Sequence, residues 1–159
     1  MRVALTGAPG TGKTTLAALL TSRFQVLAVR DLAEACGALG PLEEDGARAV
    51  DLDLLLDHVQ GLPSEVLIEG HLSHYLNPDA VVVLRCAPQT LRRRLEGRGY
   101  TPDKVRANVE WELLGGVHAE IQDADLDVPV LELDTSAVDV DVMAASLLAW
   151  CSEGHPPSN

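Results

Sequence analysis

The stretch GAPGTGKTT, from Gly7 to Thr15, restricts what this chain can become more than any other part of it. It is G-x-x-x-x-G-K-[ST] in full. It lies between an apolar run of strand type, Val3 to Thr6, and a segment in which Leu16, Ala17, Leu19 and Leu20 recur at helical spacing up to Leu20. Each residue type has a physical reason to be there. Gly7, Gly10 and Gly12 let the backbone turn so that successive N–H groups point inward at phosphate oxygens. A helix starting near Lys13 offers its unpaired N–H groups and the positive end of its dipole to the same anion. Lys13 brings a full charge to the β and γ phosphates, and Thr14 a hydroxyl to Mg²⁺. Pro9, Thr11 and Thr15 complete the loop. The expected cofactors are therefore ATP and Mg²⁺.

The rest of the chain alternates strands with helices. Val26–Val29, 65–69, Ala80–Arg85 and 129–133 read as further strands. The two central runs are continuously apolar, as strands covered on both faces of a parallel sheet are. Asp31 stands three residues before Glu34, a capping-box spacing that would open a helix over 32–39, ended by Gly40 and Pro41 with a loop over 41–46. Further helices are expected over 52–59, from Pro88 to about Arg98, from Pro102 to about Gln122 with a kink at Gly115–Gly116, and from Val138 to Cys151. The pattern predicts an α/β three-layer sandwich around a parallel sheet. One P-loop domain over 1–152 and a frayed tail over 153–159 complete the expected organisation.

Composition narrows the partners. The chain has 159 residues and a net charge of −12, which argues against general affinity for nucleic acids or acidic membranes. No segment approaches an apolar membrane span, MRVALTGAPG lacks a signal-peptide core, and three cysteines without C-x-x-C spacing suggest neither a disulfide framework nor a zinc ribbon. A cytoplasmic protein is expected. Seven of its twelve basic residues nevertheless lie between Arg85 and Arg106. Such an island fits an anion site or a solvated helix face.

The acceptor of a phosphoryl group is harder to read. There is no N-K-x-D for guanine, and the chain is short for a mechanical ATPase. The stretches IEGHLSHYLNPDAVVVLR and LRRRLEGRGYTPDKVRANVEWEL, with the P-loop and Trp150, resemble the adenylate kinase isoenzyme 6 family, small P-loop proteins also described as small-subunit ribosome-assembly factors. The resemblance covers most of the chain. It implies the nucleoside monophosphate kinase fold, with sheet order 2-3-1-4-5 and a short lid, transfer from ATP to AMP with some ATPase activity, and a ribosomal protein as a further partner. A ribosome-assembly ATPase with little kinase activity is the alternative, as is a small-molecule kinase of the gluconate or shikimate type. The family's D-x-H is replaced here by Glu69-Gly70-His71, one methylene longer.

Glu69 follows Val66–Ile68 at a strand exit, where ligands of open α/β sheets bind, and is the expected Mg²⁺-side carboxylate alongside Thr14; a bare strand end is the competing view. By resemblance His71 positions water or the acceptor phosphate. His74 has too few companions for a metal pair. Arg94 and Arg98 are four apart on one helical face and match the family's lid-entry arginines, suited to neutralising phosphoryl charge, while Leu91 and Leu95 point inward and Arg92 would pair with Glu96. Asp31 is either a helix cap or an acceptor contact. Thr135 and Ser136, just after the last strand, lie where adenine would rest by position, and Asn108, Glu110 and Glu112 would hold the lid helix.

Overall fold

A computed structural model of the chain describes residues 1–44 and 48–154. The apolar runs form five strands, β1 (Arg2–Gly7), β2 (Gln25–Ala28), β5 (Val66–Glu69), β6 (Ala80–Arg85) and β7 (Val130–Asp134). They make one parallel sheet in the order β2-β5-β1-β6-β7. Counting only these core strands, that is 2-3-1-4-5. A short antiparallel hairpin, β3 (Leu39–Leu42) with β4 (Arg48–Val50), stands apart from the sheet.

Strand alternation sorts the core onto two faces. On one, Val3, Leu5, Val82 and Leu84 pack with Leu16 and Ala17 of α1 (Lys13–Ala17) and with Met143, Leu147 and Trp150 of α7 (Val140–Ser152). On the other, Val66 and Ile68 meet α2 (Val29–Ala35) and α3 (Leu52–Gln60), while Ala4, Val81 and Val83 meet Val117 and Ile121 of α6 (Gly116–Asp123). A further cluster places Leu91 and Leu95 of α4 (Pro88–Gly97) with Val105 and Val109 of α5 (Pro102–Leu113) around Ala8 and Cys86. α4 and α5 thereby carry the arginine island to the edge of the phosphate loop.

Several expected boundaries move. α1 stops at Ala17, and tighter turns from Leu16 to Leu19 and Ala17 to Leu20 replace its last coil, although Leu20 stays in the core. Val29 belongs to α2 and not to a strand; β2 pairs with β5 only as far as Ala28 opposite Glu69. Asp31 therefore sits in the first turn of α2 and caps nothing, because Ala28 holds the cap position without a side-chain hydrogen bond. The helix expected over 32–39 holds only as far as Ala35, where α2 ends, and Gly40 and Pro41 belong to β3 of the hairpin, which leaves Leu42 exposed. Positions 45 and 46 of the loop expected over 41–46, the following position 47, and 155–159 of the tail lie outside the described residues.

The long helix over 102–122 is two helices, α5 and α6. Gly115 adopts φ 69°, a left-handed conformation that breaks the ladder. Asp51 caps α3 by accepting from the N–H groups of Asp53 and Leu54, and Thr101 caps α5 by accepting from that of Lys104. Glu112, almost fully buried, accepts from Arg85 Nε at 2.5 Å and from the Cys86 N–H at 3.2 Å, so α5 is bolted to the exit of β6. Among the described residues Arg92 and Glu96 form no ion pair; both are exposed, where such a pair gains little.

Candidate functional site

The phosphate loop leaves the carboxyl end of β1 and is held from inside. Thr11, fully buried, donates its hydroxyl to the Ala8 carbonyl at 2.8 Å, and its N–H reaches the same oxygen at 3.3 Å. Gly10 shows why the loop cannot carry a side chain there. A Cβ would stand 2.9 Å from Leu95 Cδ2, and φ is +84°. The apolar edge of α4 is the floor of the loop. Gly12 precedes α1 with no side-chain cap, leaving the first N–H groups of that helix open to an anion.

Lys13 Nζ donates to the carbonyls of Gly7 at 2.9 Å and Ala8 at 2.8 Å. Burial pulls its pKa down to about 8, against the opposing pull of Glu69; Arg98 adds to the lowering. Thr14 Oγ1 donates toward Glu69 Oε1 at 3.5 Å. Glu69 is half-buried, and burial holds its carboxyl above the ordinary value despite Lys13 and Thr14, with Asp31 adding to the rise. His71 is exposed at the same edge, but the protein around it and then Lys13 hold its imidazole below the ordinary value. Lys13, Thr14, Glu69, His71 and Asp31 thus share one electrostatic neighbourhood.

A hydroxyl and one carboxylate at a sheet edge are hard oxygen donors, the type Mg²⁺ prefers when phosphates and water complete its shell. Among the described residues no group of three or more His, Cys, Asp or Glu side chains could hold a metal. The fit is to an ion held mainly by its nucleotide, with Thr14 and Glu69 beside it.

On the other side of the loop lies a cavity of about 580 Å³. Gly10, Gly12, Thr15, Arg94, Arg98 and Thr135 give it a polar rim, and Val138, Val140 and Met143 an apolar wall. Its size and make-up suit an aromatic base with a polar sugar. Arg94 Nη1 donates to Gly10 O at 3.2 Å and to Thr135 Oγ1 at 3.3 Å, which ties α4 to the loop and to the exit of β7. Ser136 turns away: its hydroxyl donates to Asp134 Oδ1 at 2.5 Å and accepts from the Ala87 N–H. Thr135, and not Ser136, lines the cavity.

The sequence offers both Thr135 and Ser136 as candidates for the adenine end, and no local pattern distinguishes two hydroxyls after a strand; Thr135 alone of the two lines the cavity. His74 turns out to be fully buried, bonded to Thr6 Oγ1 at 2.8 Å and to Glu120 Oε2 at 3.1 Å. Its partner Glu120 is 46 positions away in the chain. Only the sheet's parity, which puts Thr6 on the α6-facing side with Ala4, could have suggested the meeting.

A glycine-rich phosphate loop at the carboxyl edge of a parallel sheet of this order, with an arginine-bearing helix over it, defines a P-loop kinase fold. A family model described as an AAA domain matches residues 3–115. The "Putative adenylate kinase" of Halobacterium salinarum is 41% identical over 160 residues, covering 99% of this chain and 94% of that protein. A relative of the same name from Archaeoglobus fulgidus is 39% identical over 142 residues, covering 89% and 76%. The chain belongs to this adenylate-kinase-like family of P-loop proteins. Among solved structures, deoxyadenosine kinase from M. mycoides with bound dATP superposes with a TM-score of 0.60 at 16% identity, covering 96% of this chain and all of that one. A gluconokinase from Sinorhizobium meliloti superposes with a TM-score of 0.59 at 16% identity, covering 97% and 93%. Both share the fold. No helix is long and apolar enough to cross a membrane among the described residues.

Proposed function

We propose that the protein transfers the γ-phosphoryl group of ATP to AMP, giving two ADP. The observation that carries the reading is the pairing of Thr14 with Glu69 across the phosphate loop, with Lys13 beside them and the cavity on the far side. The names of the relatives supply the choice of AMP.

The donor's base would lie in the cavity against Val138, Val140 and Met143, with the Arg94 guanidinium over it and Thr135 at its edge. Its phosphates would run along the loop N–H groups to Lys13. Arg98, whose charge is felt at Lys13, stands at the γ-phosphate end, so the two arginines divide the donor between them. Thr14 and Glu69 would hold Mg²⁺, which would supply positive charge against the donor's phosphates. An oxygen of the AMP phosphate, already ionised at pH 7, attacks the γ-phosphorus as the bond to the β-phosphate oxygen breaks. No strong base is needed, and a neutral His71 beside Glu69 orients the acceptor phosphate by donating a hydrogen bond. Asp31 lines the acceptor side. Catalysis is positioning plus preorganised charge.

Mixing the protein with Mg²⁺–ATP and, in turn, AMP, CMP, UMP, gluconate, a small-subunit ribosomal protein and no acceptor tests this. ADP should form fastest with AMP, two for each ATP consumed. Release that rises only with the ribosomal protein, or is the same without any acceptor, would replace the kinase reading with an ATPase.

A further inference from the structure

His74 has no part in the transfer, yet it is the largest polar side chain that is fully buried. Both its ring nitrogens are bonded. The Glu120 carboxylate can only accept, and its Oε2 also takes the Tyr75 hydroxyl at 2.8 Å. Nε2 therefore carries the proton and donates to Glu120, and in the neutral ring that burial favours Nδ1 accepts from the Thr6 hydroxyl. Burial, outweighing Glu120, holds the imidazole below its ordinary value, in keeping with the neutral form.

The bonds join three elements. Thr6 lies on β1 immediately before Gly7, whose carbonyl anchors Lys13. His74 lies on the turn that follows Gly70 and His71, and Glu120 lies on α6. The same turn is stitched to the preceding residue of β1, because the Gly70 N–H at 3.0 Å and the Ser73 hydroxyl at 3.1 Å both donate to Leu5 O. Volume alone does not call for an imidazole. Ala4, Val81, Val83 and Ile121 fill the neighbouring face, and an aliphatic side chain would bury with less cost to polar groups. The ring adds direction: one bond to the phosphate loop's base at Thr6 and one to α6 at Glu120, held at a fixed angle to each other.

We propose that His74, clasped between Thr6 and Glu120, is a positioning residue that keeps the Glu69–His71 turn in register with the base of the phosphate loop, and so sets the spacing between Thr14 and Glu69. The inference rests on the kinase reading above.

Thr6→Val removes the hydroxyl at constant shape. In His74→Asn, Oδ1 takes the place of Nδ1 and still accepts from Thr6. In His74→Gln, the amide reaches toward Glu120 and leaves Thr6 without its acceptor. Each variant would be titrated with a fluorescent ATP analogue with and without Mg²⁺, well below its Tm, and then assayed for turnover. Thr6→Val and His74→Gln should raise the half-saturating Mg²⁺ about 3-fold or more and lower kcat about 10-fold, as partners behind a metal site do. Affinity for the Mg²⁺-free analogue should stay within about 2-fold, since the loop N–H groups alone carry it. His74→Asn should stay near wild type, and the double variant should be no worse than either single one.

A merely structural histidine would lower Tm in these variants and leave the Mg²⁺ requirement where it was. Folded Thr6→Val and His74→Gln proteins with wild-type Mg²⁺ titrations overturn the proposal. Should those variants fail to fold, imidazole nitrogen shifts of the wild-type protein still decide: a bare Nδ1 and protonated Nε2 between pH 6 and 8 is expected, and a proton on Nδ1 overturns it. Failure of the kinase reading is told apart because it is seen in the wild type, as nucleotide binding indifferent to Mg²⁺ and no phosphoryl transfer, and it removes this inference with it.

Discussion

Lys13 is a partly buried cation whose charge the proposed transfer needs. Its ammonium is drawn down to about 8 from an ordinary 10.5 because burial outweighs Glu69. Between those two values the unfolded chain binds more protons than the folded one, so this group's contribution to stability increases as pH rises. Activity moves the other way. kcat/KM for ATP should fall above about pH 8 as the free enzyme loses this proton, whereas kcat should hold to higher pH, because bound phosphates stabilise the ammonium. Parallel alkaline limbs in the two profiles would contradict the assignment. Lys13→Ala, folded normally, should lose about 10²-fold or more in turnover.

Glu69 is open to the same treatment. Glu69→Gln deletes charge at constant shape and should raise the Mg²⁺ requirement of turnover, while Glu69→Asp retains substantial activity. His71→Ala should slow turnover without changing the Mg²⁺ titration, because its proposed place is on the acceptor side. Two Mg²⁺ curves like that of the wild type, with normal turnover, would reduce this edge to an ordinary strand end.

At the scale of elements, α4 does two jobs with alternate faces. Leu91 and Leu95 support the loop at Gly10, and Arg94 and Arg98 line the cavity, whereas Arg93 is exposed. Arg94→Ala and Arg98→Ala should depress turnover far more than Tm, with Arg94→Ala raising KM for ATP and Arg98→Ala lowering kcat. Arg93→Ala should change neither; damage equal to that of Arg94→Ala would mean that the helix faces are misassigned. The junction of α5 and α6 is sensitive in a different way. A Cβ on Gly116 would stand 2.1 Å from the Trp111 ring, so Gly116→Ala should cost about 1–3 kcal/mol, read as a fall in Tm.

What the sequence made legible follows interaction range. The five core strands and the P-loop are local patterns, continuous apolar runs and a spaced glycine motif, and they were readable. The hairpin Leu39–Leu42 with Arg48–Val50 was not, because its strands are short, contain glycine and proline, and bury too little to leave an alternating pattern. Asp31 looked like a cap because its spacing to Glu34 fits a capping box; the pairing of β2 up to Ala28, a tertiary fact, started the helix earlier. Within the site the motif residues were legible, and the contacts that orient them were not. The buried bonds of His74 and the choice of Thr135 over Ser136 arise only when distant segments meet.

Taken whole, the molecule carries a net charge of −12 around a site built to hold anions. The long-range field repels a nucleotide, and the local field of Lys13, Arg94, Arg98 and the loop N–H groups attracts it. Salt acts on the two unequally. It shortens the screening length from ~10 Å at 0.1 M to ~3 Å at 1 M, which suppresses the diffuse repulsion before the close contacts. Raising NaCl across that range should therefore raise Tm by about 2–4 °C, the shift that roughly 1 kcal/mol makes in a chain of this length. A flat or falling Tm would mean that the acidic surface is already paired.

In the proposed reaction the phosphoryl group goes to a nucleotide acceptor and not to water. Following the label from γ-³²P ATP in the presence of Mg²⁺ and AMP tests it most directly. The label should appear in the β-phosphate of ADP, with little released as inorganic phosphate, and Lys13→Ala should slow the transfer about 10²-fold or more. Label found only in inorganic phosphate, at a rate indifferent to AMP, would contradict it.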